Sequence, residues 1–297
     1  MHEEPRGVTT EQVLDRVRDL WDPSVDALTH LPIGFGAWHW RADVTGEPRY
    51  FVTLDPPLWH TAQTLEATYA AAARLAASLP AVHAGLATTE GRFTSPLAEG
   101  WLSCTPWVHG SRPDALGPDA VSAVRALHAT PPPEGVVTWV PLVRPDLVEE
   151  LDAWSTSPWD SGPHGEAART AIRRQAADVA RGLSAYLRLT HRLDPSSYVP
   201  THGEPGLHNL WRADDGRLLL LDWETLRLAP RERDVLDGYA SLVPHDPDLL
   251  RLFRLEWQLG EVRSYADWLR GPHDDDGDTR TALGGLRHEL GGLGETA

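Results

Sequence analysis

The apolar pattern of this 297-residue chain changes character near residue 110, and that change limits the architectures open to it. Before it, apolar residues come mostly in short runs divided by glycine and proline. The stretch Leu31-Pro-Ile-Gly-Phe-Gly-Ala-Trp-His-Trp40 leads through a turn around Thr45-Gly-Glu-Pro48 into Arg49-Tyr-Phe-Val-Thr-Leu54, the pattern of a β-hairpin ending in strong strand formers. Two more strand-like runs, 81–88 and 100–109, are separated by Glu90 and Gly91. Only two helices are expected here: 10–20, with Val13, Leu14, Val17 and Leu20 on one face, and 64–79, lined by Leu65, Tyr69, Ala72 and Leu75. Beyond 110 the pattern is helical, over 119–128, 145–154 and one long helix at 166–192. A β insertion at 199–201 and 218–221 interrupts it. A helical tail follows, broken by the acidic run 274–278, which is expected to be a solvated loop. The reading is an α+β chain of two lobes, a β-rich lobe over 1–109 and a mainly helical lobe over 110–297.

Charge narrows the partners. The chain carries 43 Asp and Glu against 27 basic residues, a formal net charge of −16, and every basic residue is arginine. With no basic stripe, a nucleic-acid partner is not expected, whereas a cationic small molecule would be attracted. No apolar run approaches the roughly 20 residues of a membrane span. The opening Met1-His-Glu-Glu4 is acidic where a secretory leader would be basic. The single cysteine, Cys104, excludes an internal disulfide framework and reads as a small buried hydrophobe. A cytoplasmic protein with no membrane partner is expected.

Chemistry concentrates in Thr201-His-Gly-Glu-Pro-Gly-Leu-His-Asn209 and Leu218-Leu-Leu-Leu-Asp-Trp-Glu224. Between Glu204 and Asp222 lie a loop, a turn at Asp214-Asp-Gly216 and a short apolar strand. That path returns the chain beside itself and sets Asp222 at a strand end near Glu204 and Asn209. Carboxylate, amide and carboxylate converging in this way can hold a divalent cation and orient a hydroxyl, which is most of what phosphoryl transfer requires. A different reading takes His202, Glu204 and His208 as a zinc or iron set. Glu224 is either a further metal ligand or a solvated neighbour.

His202-Gly-Glu204 with Asn209 follows the H-x-D-x-x-x-x-N catalytic loop of kinases, with Glu in the Asp place, and Asp222-Trp-Glu224 stands where the metal-binding Asp-Phe-Gly would be. Together with Ala229-Pro-Arg-Glu-Arg-Asp234, these motifs resemble the aminoglycoside phosphotransferase (antibiotic kinase) family, particularly its spectinomycin-phosphotransferase-like branch. The resemblance is specific over 199–237 and diffuse elsewhere. It implies a two-lobe protein-kinase-like fold and a small-molecule O-phosphotransferase using Mg²⁺ and ATP or GTP. The implied acceptor is a hydroxyl of an aminoglycoside, aminocyclitol or other antibiotic-like compound, and the implied role is antibiotic resistance. It assigns Glu204 to the catalytic position that aims or deprotonates that hydroxyl, and Asn209 and Asp222 to Mg²⁺. Gly34 and Gly36 would lie over the nucleotide phosphates, Thr53 at the phosphate-clamp position, and Trp107 and Val108 at the adenine hinge. His202 would hold the catalytic loop, and Asp234 would anchor the C-lobe. Asp146, Glu149, Glu150, Asp152 and Asp160 would lie where relatives receive substrate, complementary to an amine; their other reading is a solvated helix start.

Two positions depart from the family pattern. Glu204 is one methylene longer than Asp, about 1.5 Å of reach. Thr53 stands in place of the lysine that clamps the phosphates, offering one hydroxyl and no charge. Arg49 shares the Thr53 face but lies about 13 Å away along a strand; Arg41, on the preceding strand, is the other replacement. Glu66, the usual partner of that lysine, would lose its ion pair. These departures support a rival from another class, a catalytically impaired pseudokinase or ligand-binding protein. The tryptophans read mainly as packing residues, with Trp38, Trp40, Trp59 and Trp107 placed where one could stack on a ligand ring.

Overall fold

Thr9 opens the first helix, α1 (Thr10–Leu20), with a reciprocal cap: its hydroxyl accepts from the Gln12 N–H while the Gln12 side chain accepts from the Thr9 N–H. This is seen in the computed structural model of the chain, which describes residues 1–296 apart from 6, 35, 57–60, 99 and 237. Trp59 therefore lies outside the described residues. The chain forms two compact units, Met1–Trp139 with Tyr198–Val243 and Val140–Ser197 with Pro244–Ala297. The strand-rich stretch 1–109 falls wholly in the first.

In the first unit, α1 is followed by β1 (Ala27–Leu31), β2 (Trp38–Val44), β3 (Glu47–Asp55), α2 (Ala62–Ala76), β4 (Ser95–Leu97) and β5 (Gly100–Pro106). The strands make one antiparallel sheet in the order β1-β2-β3-β5-β4. Its two faces differ in chemistry. Trp40, Ala42, Val52, Leu54, Leu102 and Cys104 point to one side and pack with Val13 and Val17 of α1 in a solvent-free core. His39, Phe51, Thr53 and Ser103 occupy the other side, away from that core. A bulge at Ala42/Asp43 sets this parity by shifting the β2–β3 register one residue, so that His39 and not Trp38 lies opposite Thr53.

The rest of the first unit comprises β6 (Gly110–Ser111), α3 (Pro118–Ala129), β7 (Val199–Thr201), β8 (Leu210–Ala213), β9 (Leu218–Leu220) and β10 (Arg227–Ala229). β7 pairs with β10, and β6, β8 and β9 form a small sheet. The second unit is helical: α4 (Leu147–Ser155), α5 (Gly165–Arg174), α6 (Ala176–Thr190), α7 (Pro247–Arg270) and α8 (Gly277–Thr296). Its core joins Leu255, Leu259, Val262 and Ala266 of α7 to Leu286, Leu290 and Leu293 of α8. Gly182 on α6 lets Leu293 approach to 3.0 Å from where a Cβ would sit. The fold is α+β, with a β-rich N-terminal region and a helical C-terminal region.

Three sequence expectations are corrected. Residues 81–88 are not a strand; they carry a single bridge, Val82–Leu220, and the Leu86 N–H bonds to the Cys104 carbonyl. The strand beside β5 is β4 instead, because Thr88 and Arg92 close a turn first. The long helix over 166–192 breaks at Gln175, which sits at φ −112°, ψ 18° and caps α5 before α6 begins. The acidic run 274–278 is not wholly solvated: Asp278 is buried, and Asp276 exchanges hydrogen bonds with Thr279 to start α8. Among the described residues no helix is long and apolar enough to cross a membrane.

Candidate active site

The β8–β9 hairpin brings Asn209 and Asp222 together. Its turn closes at Gly216, in the left-handed region at φ +87°, with the Asp215 carboxylate accepting from the Arg217 N–H. Leu210 pairs with Leu220, and one step beyond, the Leu221 N–H donates to the Asn209 carbonyl over 2.8 Å. Asn209 thus enters the hairpin opposite Leu221, and Asp222 follows at once. Asp222 is itself at φ +63°, a strained conformation for a residue with a Cβ. The turn after it is fixed by buried Trp223, whose indole N–H donates to the Leu220 carbonyl over 2.8 Å.

The loop carrying Glu204 is tied to the same hairpin. Fully buried His202 donates from Nε2 to the Leu221 carbonyl over 2.7 Å, and its Nδ1 accepts from the Glu204 N–H at 3.3 Å. Both bonds require the neutral imidazole protonated at Nε2. Burial favours that state and holds the His202 pKa below its ordinary value, against the pull of Asp234. Asp234 accepts from two successive backbone N–H groups, His202 at 2.9 Å and Gly203 at 2.6 Å, and pairs with His128 Nε2 at 2.9 Å. Burial alone would raise its pKa; the hydrogen bond and charge of His128, with the Gly203 N–H, win and lower it. Gly203 is at φ +102°, and a Cβ there would meet the Arg233 guanidinium at 2.5 Å. The Tyr239 hydroxyl, donating to the Pro205 carbonyl at 3.0 Å, holds the loop from beyond.

The site is rich in carboxylates. Asp222 is open to solvent yet crowded by protein; desolvation, then the charges of Glu204 and Asp55, raise its pKa. Asp55, at the end of β3, is buried, accepts from the Tyr69 hydroxyl at 3.2 Å and is hydrogen-bonded to Glu224. Burial raises both of those pKa values, and the neighbouring acids add to the rise at Glu224. Glu224 is therefore no solvated neighbour. Glu204 Oε2 lies 3.7 Å from His208 Nε2, both partly exposed. The zinc or iron reading loses its geometry, because both nitrogens of His202 are committed. Among the described residues no three His, Cys, Asp or Glu side chains are disposed to hold a metal.

The remaining predicted positions fall on the sheet and its ends. Gly34 and Gly36, at φ +73° and +104°, form the bend between β1 and β2. Thr53 lies on β3, and its hydroxyl meets His39 Nδ1 at 3.2 Å. After β5, the Trp107 N–H donates to the Arg49 carbonyl at 3.0 Å, and the Val108 carbonyl accepts from Trp211 Nε1 at 3.2 Å. The Trp107 ring is 6.4 Å from Phe51. Both proposed stand-ins for lysine have partners of their own. Arg41 is held bidentately by Asp43, with both bonds at 2.9 Å, and Arg49 lies over the Tyr50 ring at 5.9 Å. Glu66 is engaged elsewhere, its carboxylate accepting from the N–H groups of Phe93 and Thr94 and from the Thr94 hydroxyl at 2.7 Å. In the second unit, Asp146 pairs with Arg144 and Glu150 with Arg263, while Glu149, Asp152 and Asp160 are exposed. Sequence reasoning missed His39 and Asp55, whose importance appears only once register and burial are known.

Comparisons with known proteins agree with this architecture. The chain superposes on spectinomycin phosphotransferase APH(9)-Ia, in complex with ADP and spectinomycin, with a TM-score of 0.72, 14% identity and coverage of 98% of this chain and 99% of that one. A microcompartment-associated aminopropanol kinase gives a TM-score of 0.60 at 13% identity, covering 96% of each chain. At these identities the likeness is one of fold. Protein StrN of Streptomyces griseus is 36% identical over 81 residues, 26% of this chain and 25% of that protein, so the match spans a quarter of that relative's length. The model of the phosphotransferase enzyme family (APH) matches residues 29–271. The chain, kinase-like in fold from end to end and matched over most of its length, belongs to the phosphotransferase enzyme family.

Proposed function

We propose that this chain is a small-molecule O-phosphotransferase that moves the γ-phosphoryl group of ATP or GTP to a hydroxyl of an amine-bearing acceptor of the aminoglycoside or aminocyclitol kind, with antibiotic resistance as the consequence. The observation that carries the reading is the hairpin-built convergence of Glu204, Asn209 and Asp222, locked by Asp234 and His202. Glu204 would orient the acceptor hydroxyl and take its proton as the oxygen–phosphorus bond forms and the nucleoside diphosphate leaves.

The donor set suits a hard cation. Asn209 Nδ2 donates to the Glu204 carbonyl at 2.9 Å, which leaves Oδ1 as the ligating atom. Asp222 adds a carboxylate whose raised pKa reports crowding that a cation would relieve. Mg²⁺ needs no more, since it keeps waters and takes one or two carboxylates with substrate phosphates. When bound, it neutralises charge on those phosphates.

Residues 1–109 would form the nucleotide-binding lobe, with Gly34 and Gly36 over the phosphates, Thr53 beneath them, and Trp107 and Val108 at the base. Residues 110–297 would form the catalytic and acceptor-binding lobe. The net charge of −16 and exposed Glu149, Asp152 and Asp160 favour a cationic acceptor. Spectinomycin phosphotransferase and the aminopropanol kinase, both similar in fold, point to the same class of compound by name. Thr53 and the diverted Glu66 favour the second reading, a protein that binds nucleotide without transfer.

One assay separates them. Incubation with MgATP or MgGTP and a panel of aminocyclitols, aminoglycosides and amino alcohols should yield an acceptor heavier by one phosphoryl group. Nucleotide binding with no product from any acceptor would favour the second reading.

A further inference from the structure

We propose that His39 takes over the role of the missing clamp lysine, its imidazole Nε2 contacting the phosphates of the bound nucleotide. This rests on the nucleotide-dependent reading above and adds a residue to it.

The sheet fixes where the imidazole stands. His39 lies directly across from Thr53 on the adjacent strand, so both side chains project from the same face. That face is the one turned away from the α1 core. His39 Nδ1 meets the Thr53 hydroxyl at 3.2 Å, and the ring stacks on Phe51 with centroids 4.9 Å apart and planes at 30°. One hydrogen bond and one stacking surface leave the ring little freedom. Its outer edge then faces the glycine bend: a Cβ built on Gly34 would lie 3.1 Å from Nε2. Gly34 is at φ +73° and brings no Cβ between its backbone and the imidazole. Among the described residues, no hydrogen bond is made by Nε2.

Among the described residues, Arg41, Arg49 and the Met1 α-ammonium all have partners. Arg41 is clamped by Asp43, Arg49 lies over Tyr50, and the α-ammonium of Met1 donates to the carbonyls of Ile33, Gly34 and Ala37. The chain has no lysine to substitute. The chemistry of the imidazole is adequate. In the tautomer whose Nδ1 accepts from the Thr53 hydroxyl, the ring proton sits on Nε2, at the edge facing the bend. Burial above all holds the ring neutral, its pKa pushed down to about 3. An approaching phosphate favours the cation, in which Nε2 carries a proton whichever tautomer precedes it.

The test is a set of calorimetric titrations of wild type, His39→Ala, His39→Gln and His39→Lys with MgATP and with adenosine, alongside melting curves. His39→Gln can keep the hydrogen bond to Thr53, which preserves the fold if His39→Ala does not. The expected result is MgATP weakened by about ten-fold or more in the Ala and Gln variants, the worth of one hydrogen bond to a charged group. Adenosine affinity should be unchanged, and MgATP affinity retained in His39→Lys. Wild-type MgATP affinity in the Ala or Gln variant would overturn the proposal and leave the functional reading intact. Equal loss of adenosine and MgATP would overturn it too, assigning His39 to sheet packing. A wild-type protein that bound neither ligand would defeat the functional reading itself.

Discussion

Asn209 spends its amide nitrogen on the backbone of Glu204, donating from Nδ2 to that carbonyl across 2.9 Å. The bond couples the residue assigned to the metal with the residue assigned to the hydroxyl. Asn209→Ala should therefore damage both functions at once. Turnover should fall by roughly 100-fold, as expected when reacting groups move by about 1 Å. Stability should fall by only about 1 kcal/mol for the lost hydrogen bond. Steady-state kinetics with chemical denaturation read the two effects separately, and a variant with wild-type kcat would contradict the assignment.

Asp234 is the structural anchor of the same loop. Asp234→Ala would strand the N–H groups of His202 and Gly203 and unpair partly buried His128. The expected cost is about 3–5 kcal/mol, the usual result of removing one member of a buried ionic network. Asp234→Asn keeps one acceptor oxygen and should cost less. Urea denaturation of the three proteins would show that order, and equal stabilities would refute it.

Acid acts on the fold through its buried imidazoles and, with the opposite sign, through the buried carboxylates of the site. His202 is held neutral in the folded state, and burial likewise lowers the pKa values of His39 and His83. An unfolded imidazole titrates near 6.5. Above that pH the contribution to stability is complete; below it the unfolded chain takes up protons that the native state refuses. Each such group then costs about 1.4 kcal/mol per pH unit until its folded pKa is reached. Asp55, its pKa raised to about 6, and Asp222, raised to about 7, take up protons in the folded state and work the other way. The imidazole share is therefore read by difference: between pH 7 and pH 5 the melting temperature of wild type should fall relative to that of His39→Gln. A constant difference between the two proteins over that interval would show that the His39 ring is protonated in the native state.

The legible parts of this chain are those written in local pattern. The turn at Asp214-Asp-Gly216, the apolar strand after it and the acid at its end read directly as a returning hairpin, and the segment proposed as catalytic could be marked out from them. Position 53 was legible as a departure, but its neighbour was not. Counting back from the turn at Thr45 and Gly46 pairs Thr53 with Trp38; the bulge at Ala42/Asp43 moves the register by one and presents His39. The partners of Glu66 and the burial of Asp55 were hidden for another reason. The groups they meet, Thr94 and Glu224, are distant in sequence, and no periodicity reports a carboxylate buried against another. The break at Gln175 has no glycine or proline to mark it.

The central claim is that Asp222, with Asn209, makes nucleotide binding depend on a divalent cation. The direct measurement is a thermal-shift titration of wild type and Asp222→Asn with ATP, in the presence of Mg²⁺ and in EDTA. A ligand at 100 times its Kd stabilises by about 2.7 kcal/mol, a readily visible rise in Tm. The account predicts that rise for wild type with MgATP, its absence in EDTA, and its loss in an Asp222→Asn protein whose unliganded melting is unchanged. An identical MgATP shift in wild type and Asp222→Asn, or none in wild type, would contradict it.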